Sequence, residues 1–250
     1  MMGSRPGRAR AAPGAAGRDF ALDASALSGS HDLAGLIDHT LLRADATAPE
    51  VRRLCEEALA HRFKAVCVNP VHVGLTAEIL AGSAVAPCSV VGFPLGAVMP
   101  RDKAAEAAGA VARGAAEIDM VIALGALKAG DHASVRDDIA AVRAACRGRV
   151  LKVIVETCLL DDAQKRLACT LAVEAGADFV KTSTGFSTGG ATVADVALMR
   201  ATVGDGIGVK ASGGVRSLDT ARAMIAAGAT RLGTSSGVAL VTAGLAGDGY

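Results

Sequence analysis

The sequence predicts a single α/β domain folded as a (β/α)8 TIM barrel, and three observations carry this prediction. From residue 34 onward, short apolar segments alternate with helical patterns, and eight such units match the size of a barrel. A glycine precedes the strand in three near-repeats, at Gly114, Gly176 and Gly228, where we expect it to end a helix in the left-handed conformation. No G-x-G-x-x-G pattern follows the first strand, which disfavours the alternative of an open doubly wound sheet.

The strand candidates are apolar runs of four to six residues, separated by helical signals. Thr47 and Glu50 form a capping box with Pro49 in the first turn, which predicts a helix after the first strand. The eight predicted strands are, in chain order, 35–38, 65–69, 88–92, 117–122, 151–156, 178–182, 207–211 and 230–234.

Composition indicates where the barrel domain begins. Residues 1–30 consist mainly of Ala, Gly, Arg, Ser and Pro with little periodicity, which predicts either a disordered N-terminal extension or a misassigned start. Residues 31–250 are then the barrel domain, including the C-terminal tail.

The uncharged segment 79–100 is long enough to span a bilayer, but Pro87, Pro94 and several glycines interrupt it, so no spanning helix is expected.

Composition also restricts the partners. A net charge of +1, a single Tyr, five Phe and no Trp argue against a nucleic-acid partner. The six cysteines lack a C-x-x-C pair, which is typical of reduced thiols in a cytoplasmic protein. The five histidines form no metal-binding motif, so we expect neither a metal nor a cofactor.

Strand parity predicts which side chains point into the barrel, because side chains alternate between the two faces of a strand. Apolar residues occupy the helix-facing positions, and the lumen receives charged residues together with Cys67. Barrel lumens are normally filled by apolar side chains, so these charges indicate either a functional site or a structural ion-pair network. Both readings stay open for Lys152 and Glu156. The predicted lumen charges are Asp38, Asp119, Lys152, Glu156, Lys181 and Lys210.

Lys181 and Lys210 are the candidates for chemistry because each lies late in its strand, at the end where barrel enzymes hold their active sites. A buried ammonium is costly, so burial favours the neutral amine, which is a nucleophile for carbonyl groups. A second ammonium close by favours that neutral form further. We therefore expect one of these lysines to attack a carbonyl compound.

The turns after the sixth, seventh and eighth strands predict a phosphate site. Glycines allow backbone N–H groups to approach an anion, and barrels commonly bind phosphate after strands seven and eight. Arg216 is either a charged partner of the phosphate or a solvated residue at a helix start. The predicted phosphate-binding residues are Gly185, Gly213, Gly214, Gly233, Ser235, Ser236 and Arg216.

The chain resembles the deoxyribose-phosphate aldolase family from about residue 34 to its end. The resemblance rests on A-V-C-V-N-P at 65–70, V-G-F-P-L-G at 91–96, F-V-K-T-S-T-G at 179–185 and G-V-K-A-S-G-G-V-R at 208–216, with L-I-D-H-T-L-L, E-I-D-M-V-I and L-K-V-I-V-E-T at 36, 117 and 151. It implies a metal-independent class I aldolase that reversibly cleaves 2-deoxy-D-ribose 5-phosphate to D-glyceraldehyde 3-phosphate and acetaldehyde. Such barrels are commonly dimers or tetramers.

The resemblance also implies roles for individual residues. Lys181 corresponds to the Schiff-base lysine, Lys210 to its neighbouring lysine, Asp119 to the carboxylate of a proton relay, and Asp38 to a second acidic member. Tyr250 corresponds to a C-terminal tyrosine that reaches the active site; its alternative is a frayed tail.

Two departures from the family pattern and two other functions remain to be weighed. Arg43 stands where the family usually has Lys, and Phe186 stands where some members carry a basic residue, which would weaken phosphate contacts. Another Schiff-base barrel aldolase or transaldolase acting on a ketose phosphate is the first alternative function. A non-catalytic sugar-phosphate binder is the second.

Overall fold

The computed structural model describes residues 33–247, and in it eight parallel strands close into a barrel in the order of the sequence. The predicted (β/α)8 fold is confirmed. Closure occurs where β1 pairs with β8, with Asp38 opposite Gly233. The strands are β1 (Ile37–Leu41), β2 (Ala65–Val68), β3 (Ala86–Val91), β4 (Glu117–Val121), β5 (Val150–Ile154), β6 (Phe179–Lys181), β7 (Gly208–Ser212) and β8 (Arg231–Thr234).

Helices follow the strands and cover the outside of the barrel. Short 3₁₀ helices over Pro70–His72 and Thr157–Leu159 lie in the connections after β2 and β5. None of the helices in residues 33–247 is both long and apolar enough to cross a membrane. The α-helices are α1 (Ala48–His61), α2 (Val73–Ile79), α3 (Pro100–Ala112), α4 (Leu124–Lys128), α5 (His132–Ala145), α6 (Asp162–Glu174), α7 (Val193–Val203), α8 (Leu218–Ala226) and α9 (Gly237–Gly247).

The local signals read from the sequence act as expected at the helix ends. Thr47 and Glu50 form both halves of the capping box at the start of α1. Gly114, Gly176 and Gly228 have φ angles of 104°, 88° and 107°, so each turns the chain through a conformation that favours glycine before the next strand. The extension at residues 1–30 and Tyr250 lie outside the described residues.

Strand parity divides the core into two regions. The larger region lies between the sheet and the helices and holds residues such as Ile118, Met120 and Val153. The smaller one lies in the lumen, where Ala65, Cys67, Cys88, Val90 and Leu42 form a separate apolar cluster. Most of the charged side chains of the strands also lie in the lumen, so apolar packing on the helix side stabilises the barrel while much of its axis stays polar.

A glycine allows an aromatic ring to lie across the lumen. Phe179 of β6 is opposite Gly208 of β7, and a Cβ at Gly208 would lie 2.1 Å from the Phe179 ring. The guanidinium carbon of Arg231 lies 5.1 Å from the centroid of the same ring. Any larger residue at Gly208 would therefore displace the ring that packs against this cation.

Helices α3 and α5 are joined by a fully buried ion pair. The Lys103 ammonium donates to Asp138 Oδ2 at 2.7 Å and to the carbonyl oxygen of Val121, at the end of β4, at 2.9 Å. Both side chains have no exposed surface. Burial raises the pKa of Asp138, and Lys103 opposes that rise. The pair ties two helices to the strand that carries Asp119.

Replacing Lys103 by methionine should lower the free energy of unfolding by about 3–5 kcal/mol, because Asp138 would be left buried without its cation. Urea denaturation would measure the loss. The control is the double variant Lys103→Met/Asp138→Leu, which removes both charges and should recover much of the stability. A single variant as stable as the parent would show that the pair does not hold these helices.

Candidate active site

Asp119 is the centre of the lumen, because three lysines converge on its carboxylate. Lys152 donates to Oδ1 at 2.7 Å, while Lys181 and Lys210 both donate to Oδ2 at 2.8 Å. The two amines of Lys181 and Lys210 therefore lie within twice that distance of each other. The structure thus brings together three of the residues that the sequence predicted for the site, from strands β4, β6 and β7.

A second layer of charges lies beneath Asp119, towards the amino ends of the strands. Arg231 donates from Nη1 to Asp38 Oδ1 at 2.7 Å and to Glu117 Oε2 at 3.0 Å. Lys152 contacts Glu117 Oε2 at 2.6 Å and Asp38 Oδ2 at 3.4 Å. Asp38 also accepts a short hydrogen bond from Lys210. Arg231 and Glu117 were not among the predicted site residues, although Arg231 bonds Asp38 directly and Glu117 accepts from the same guanidinium.

Most of these groups are held in their charged forms. Burial alone would raise the pKa of Asp119, but Lys152, Lys181 and Lys210 together hold it well below the usual value for a carboxyl. Burial disfavours the Lys152 ammonium, yet Asp119 and the other anions around it raise its pKa well above the ordinary value. Against the same penalty, Asp119 and Asp38 raise the pKa of Lys210.

The lumen network contains more basic groups than carboxylates. In the described residues it joins Lys152, Lys181, Lys210 and Arg231 to only three carboxylates, those of Asp38, Glu117 and Asp119. Lys152 contacts all three carboxylates, and Lys210 and Arg231 each contact two. Lys181 contacts Asp119 alone and shares that oxygen with Lys210. Lys181 is thus the basic group with the least carboxylate support.

Glu156 does not belong to this network, although strand parity had placed it in the lumen beside Lys152. Strand β5 ends at Ile154, and Glu156 adopts a left-handed conformation with φ of 57°. Its carboxylate accepts hydrogen bonds from the amide and hydroxyl of Thr184, at the exit of β6. Period-two alternation stops where the strand stops, so parity could not place this residue.

A pocket of about 340 Å³ opens above Lys181 at the carboxyl ends of the strands. Lys181 itself is only 2% exposed. Helix α9 begins at Gly237, just beyond the β8 turn, and the N–H groups at such a helix start favour anions. Six of the seven predicted phosphate-binding residues line this pocket, namely Gly185, Gly213, Gly214, Arg216, Gly233 and Ser235.

Ser236, the seventh predicted phosphate-binding residue, does not line the pocket, and its amide donates to the Thr234 hydroxyl.

The two departures from the family pattern, Phe186 and Arg43, both line the pocket. Phe186 lines the mouth and packs edge-on against Phe93 at 5.4 Å between ring centroids. Arg43 also lines the pocket, and it pairs with the exposed Asp45 and with the half-buried Glu50 in the first turn of α1. Two guanidinium groups, those of Arg43 and Arg216, therefore border the pocket.

Two lumen cysteines lie beside Asp119. Cys67 of β2 points inward as predicted, and it lies opposite Cys88 of β3. The Cys88 thiol donates to Asp119 Oδ1 at 3.3 Å. Cys67, Cys88 and Asp119 could each offer one ligand atom to a metal ion. Lys152 already places an ammonium between Cys88 and Asp119, at 3.3 and 2.7 Å, so a cation of the protein occupies that position.

A closed (β/α)8 barrel with an amine beside a carboxylate, under a pocket of glycine turns, is typical of barrel enzymes that use a lysine. Sequence comparison narrows this class. The model of the DeoC/LacD family aldolases matches residues 33–243. The chain belongs to this family.

The relatives agree with that assignment over nearly their whole length. The chain is 61% identical to a deoxyribose-phosphate aldolase of Brevibacillus brevis, over 86% of this chain and 97% of the relative. It is 62% identical to the deoxyribose-phosphate aldolase of Rhodospirillum rubrum, over 85% and 90% of the two chains. Among solved structures it resembles the tetrameric deoxyribose phosphate aldolase of Aeropyrum pernix, with a TM-score of 0.82, 36% identity and coverage of 87% and 92%.

Proposed function

We propose that this protein is a class I deoxyribose-phosphate aldolase that cleaves 2-deoxy-D-ribose 5-phosphate reversibly into D-glyceraldehyde 3-phosphate and acetaldehyde. The observation that carries the proposal is the arrangement of Lys181, whose amine lies 2.8 Å from Asp119 at the base of the pocket. The family assignment and the names of the relatives support the substrate.

The first half of the reaction uses Lys181 as a nucleophile. Among the basic groups of the lumen network, Lys181 lies at the floor of the pocket and contacts a single carboxylate, so we assign it the role of the nucleophile. Neutral Lys181 adds to the C1 aldehyde of the open-chain sugar, and loss of water gives an iminium ion. We assign to the ammonium of Lys210, which contacts the same Asp119 oxygen, the proton that leaves with the hydroxyl.

The second half breaks the C2–C3 bond. A base removes the proton of the C3 hydroxyl, the bond electrons move into the iminium ion, and D-glyceraldehyde 3-phosphate leaves. Asp119 binds protons weakly because its pKa is so low, so we assign it the role of orienting the water that accepts this proton. Protonation of the remaining enamine at C2 and hydrolysis of the imine then release acetaldehyde and the free amine.

The phosphate of the substrate would lie at the glycine turns after β6, β7 and β8. Their backbone N–H groups, the start of α9 and the guanidinium of Arg216 provide donors and positive charge at one side of the pocket. Phe186 carries no charge at this mouth, so Arg43 and Arg216 supply the positive side chains there. Anchoring the phosphate positions C1 over Lys181.

Reduction with borohydride in the presence of acetaldehyde tests this proposal. The imine on Lys181 should be reduced to a stable ethyl amine, which mass spectrometry of peptides would locate. The Lys181→Met variant is the matched control and should take up no ethyl group in the lumen. An adduct on Lys210 with none on Lys181 would contradict the assignment. Faster cleavage of a ketose phosphate than of 2-deoxyribose 5-phosphate would overturn the substrate.

Three further expectations complete the proposal. We expect a cytoplasmic enzyme, and all six cysteines are free thiols in the structure. A homo-oligomer is expected as well, supported by the description of the Aeropyrum pernix relative as a tetramer. Tyr250 stays a prediction as an aid to proton transfer. The small-molecule partners are the sugar phosphate and the two aldehyde products.

A further inference from the structure

The lumen holds a pair of thiols for which the proposed reaction has no use. Cys67 and Cys88 lie opposite each other on β2 and β3, and neither has exposed surface. Their sulfur atoms lie within 4.8 Å of each other. Small apolar side chains would pack a barrel equally well at these positions, so their chemistry needs an explanation.

The two thiols differ in character. The adjacent Cys88 thiol lowers the pKa of Cys67 against the opposing effect of burial, and the cations Lys210 and Lys181 act in the same direction as Cys88. Burial raises the pKa of Cys88 well above the usual value for a thiol. Cys67 is therefore the sulfur that more readily becomes a thiolate, and Cys88 is the protonated partner beside it.

The pair lies beside the wall of the pocket. Along the sheet, Thr40 lies opposite Cys67, and Cys67 lies opposite Cys88. Thr40 lines the pocket, as does Lys181, so Cys67 is one strand away from the pocket wall. Hydrogen peroxide is similar in size to water and needs only a small opening of the lumen to contact the thiolate.

The backbone spacing suits a disulfide. Neighbouring strands lie about 4.8 Å apart, and disulfides join Cα atoms that are about 4.4–6.8 Å apart. A metal ion is the competing use of these residues together with Asp119, but Lys152 already contacts Cys88 and Asp119. Oxidation requires no displacement of that ammonium, and we therefore favour it.

We propose that Cys67 and Cys88 are a redox pair that hydrogen peroxide closes into a disulfide, which reversibly lowers the turnover of the enzyme. The Cys67 thiolate attacks one peroxide oxygen and releases hydroxide, which leaves a sulfenic acid. The Cys88 sulfur then displaces the hydroxyl group and loses its proton. One peroxide and two thiols thus give one disulfide and two waters.

The disulfide acts on turnover through Asp119. Oxidised Cys88 has no proton to donate to Asp119 Oδ1, and its sulfur must move towards Cys67 and away from Lys152. Both changes shift the carboxylate that aligns Lys181 and Lys210. A misplacement of about 1 Å in an active site can lower the rate by roughly 100-fold, so we expect the disulfide to lower turnover at least tenfold. This effect on turnover rests on the proposed function, whereas formation of the disulfide does not.

The full chain with Cys158→Ser is the protein to test, because Cys158 is the exposed thiol among the described cysteines. It is treated with hydrogen peroxide in the presence of a metal chelator. Cleavage of 2-deoxyribose 5-phosphate and intact mass are then followed before and after dithiothreitol. Trypsin leaves both cysteines in one peptide, and a protease specific for glutamate cuts between them at Glu78. The expected result is a mass lower by two hydrogens, a Cys67–Cys88 link, and activity that returns on reduction.

Variants at each cysteine distinguish inactivation by the Cys67–Cys88 disulfide from inactivation by oxidation at other residues. With Cys158→Ser in place, adding either Cys67→Ser or Cys88→Ser should abolish the reversible loss, each variant being compared with its own untreated activity. Addition of oxygen atoms without a link would overturn the proposal. So would a link that leaves turnover unchanged, or equal inactivation of the Cys88→Ser protein. If the parent protein shows no cleavage at all, the mass measurement still decides whether the disulfide forms.

Discussion

Replacing Lys181 by methionine should lower kcat for cleavage of 2-deoxyribose 5-phosphate by about 10⁵-fold or more, since removal of a nucleophile eliminates the covalent route. Methionine has nearly the length of lysine, so the pocket floor keeps its shape. The rate is measured by coupled assay of D-glyceraldehyde 3-phosphate. Lys165→Met is the matched control, because Lys165 pairs with Asp162 and Asp195 on the helices and should leave the rate nearly unchanged.

The same substitution should not destabilise the fold, which separates a chemical role for Lys181 from a structural one. Without Lys181 the lumen network has three basic groups and three carboxylates, and Lys152 and Lys210 still neutralise Asp119. We therefore expect the free energy of unfolding of Lys181→Met to equal or exceed that of the parent. A loss of about 3 kcal/mol or more would show that Lys181 is needed as a structural cation.

The sequence predicts the barrel and its two late lysines because both depend on local information. A cation within an apolar run such as F-V-K-T-S-T-G is visible without any tertiary structure, and the period of two assigns Lys181 and Lys210 to the lumen. Helix ends at Gly114 and Gly176 are equally local. These features need no knowledge of which strands are neighbours.

The missed residues depend on contacts between strands that are distant in sequence. Arg231 begins its strand just after a helix-ending glycine, where an arginine normally reaches solvent. Only the pairing of β8 with β1 shows that it reaches Asp38. Cys88 likewise gains meaning from its register with Cys67. For Glu156 the obstacle was different, because a left-handed residue ends the alternation on which parity depends.

The phosphate site could be predicted in part from local sequence and in part only from contacts between distant segments. Glycine turns after the last three strands can be read from the sequence, and six of the seven predicted residues line one pocket. The exception, Ser236, lies at the start of α9 and uses its amide within the turn. The aromatic contact of Phe186 with Phe93 requires the β3 and β6 loops to meet, which no local pattern indicates.

Replacing Asp119 by asparagine is expected to have the second-largest effect, a loss of about 10²–10⁴-fold in kcat, the usual contribution of acid–base catalysis. The amide is nearly isosteric with the carboxylate, but it carries no charge and can accept hydrogen bonds at only one of the two positions. Four basic groups would then face only Asp38 and Glu117. The variant should therefore also be less stable, by about 3–5 kcal/mol.

A double variant distinguishes the two consequences of this substitution. Lys152 contacts Oδ1 of Asp119, on the side of the carboxylate away from the oxygen shared by Lys181 and Lys210. Adding Lys152→Met to Asp119→Asn removes a cation, so unfolding measurements should show that part of the lost stability returns. The rate should stay low, because no group replaces the carboxylate that orients water at the imine. Recovery of the rate together with the stability would mean that Asp119 serves only to balance the charge of the lysines.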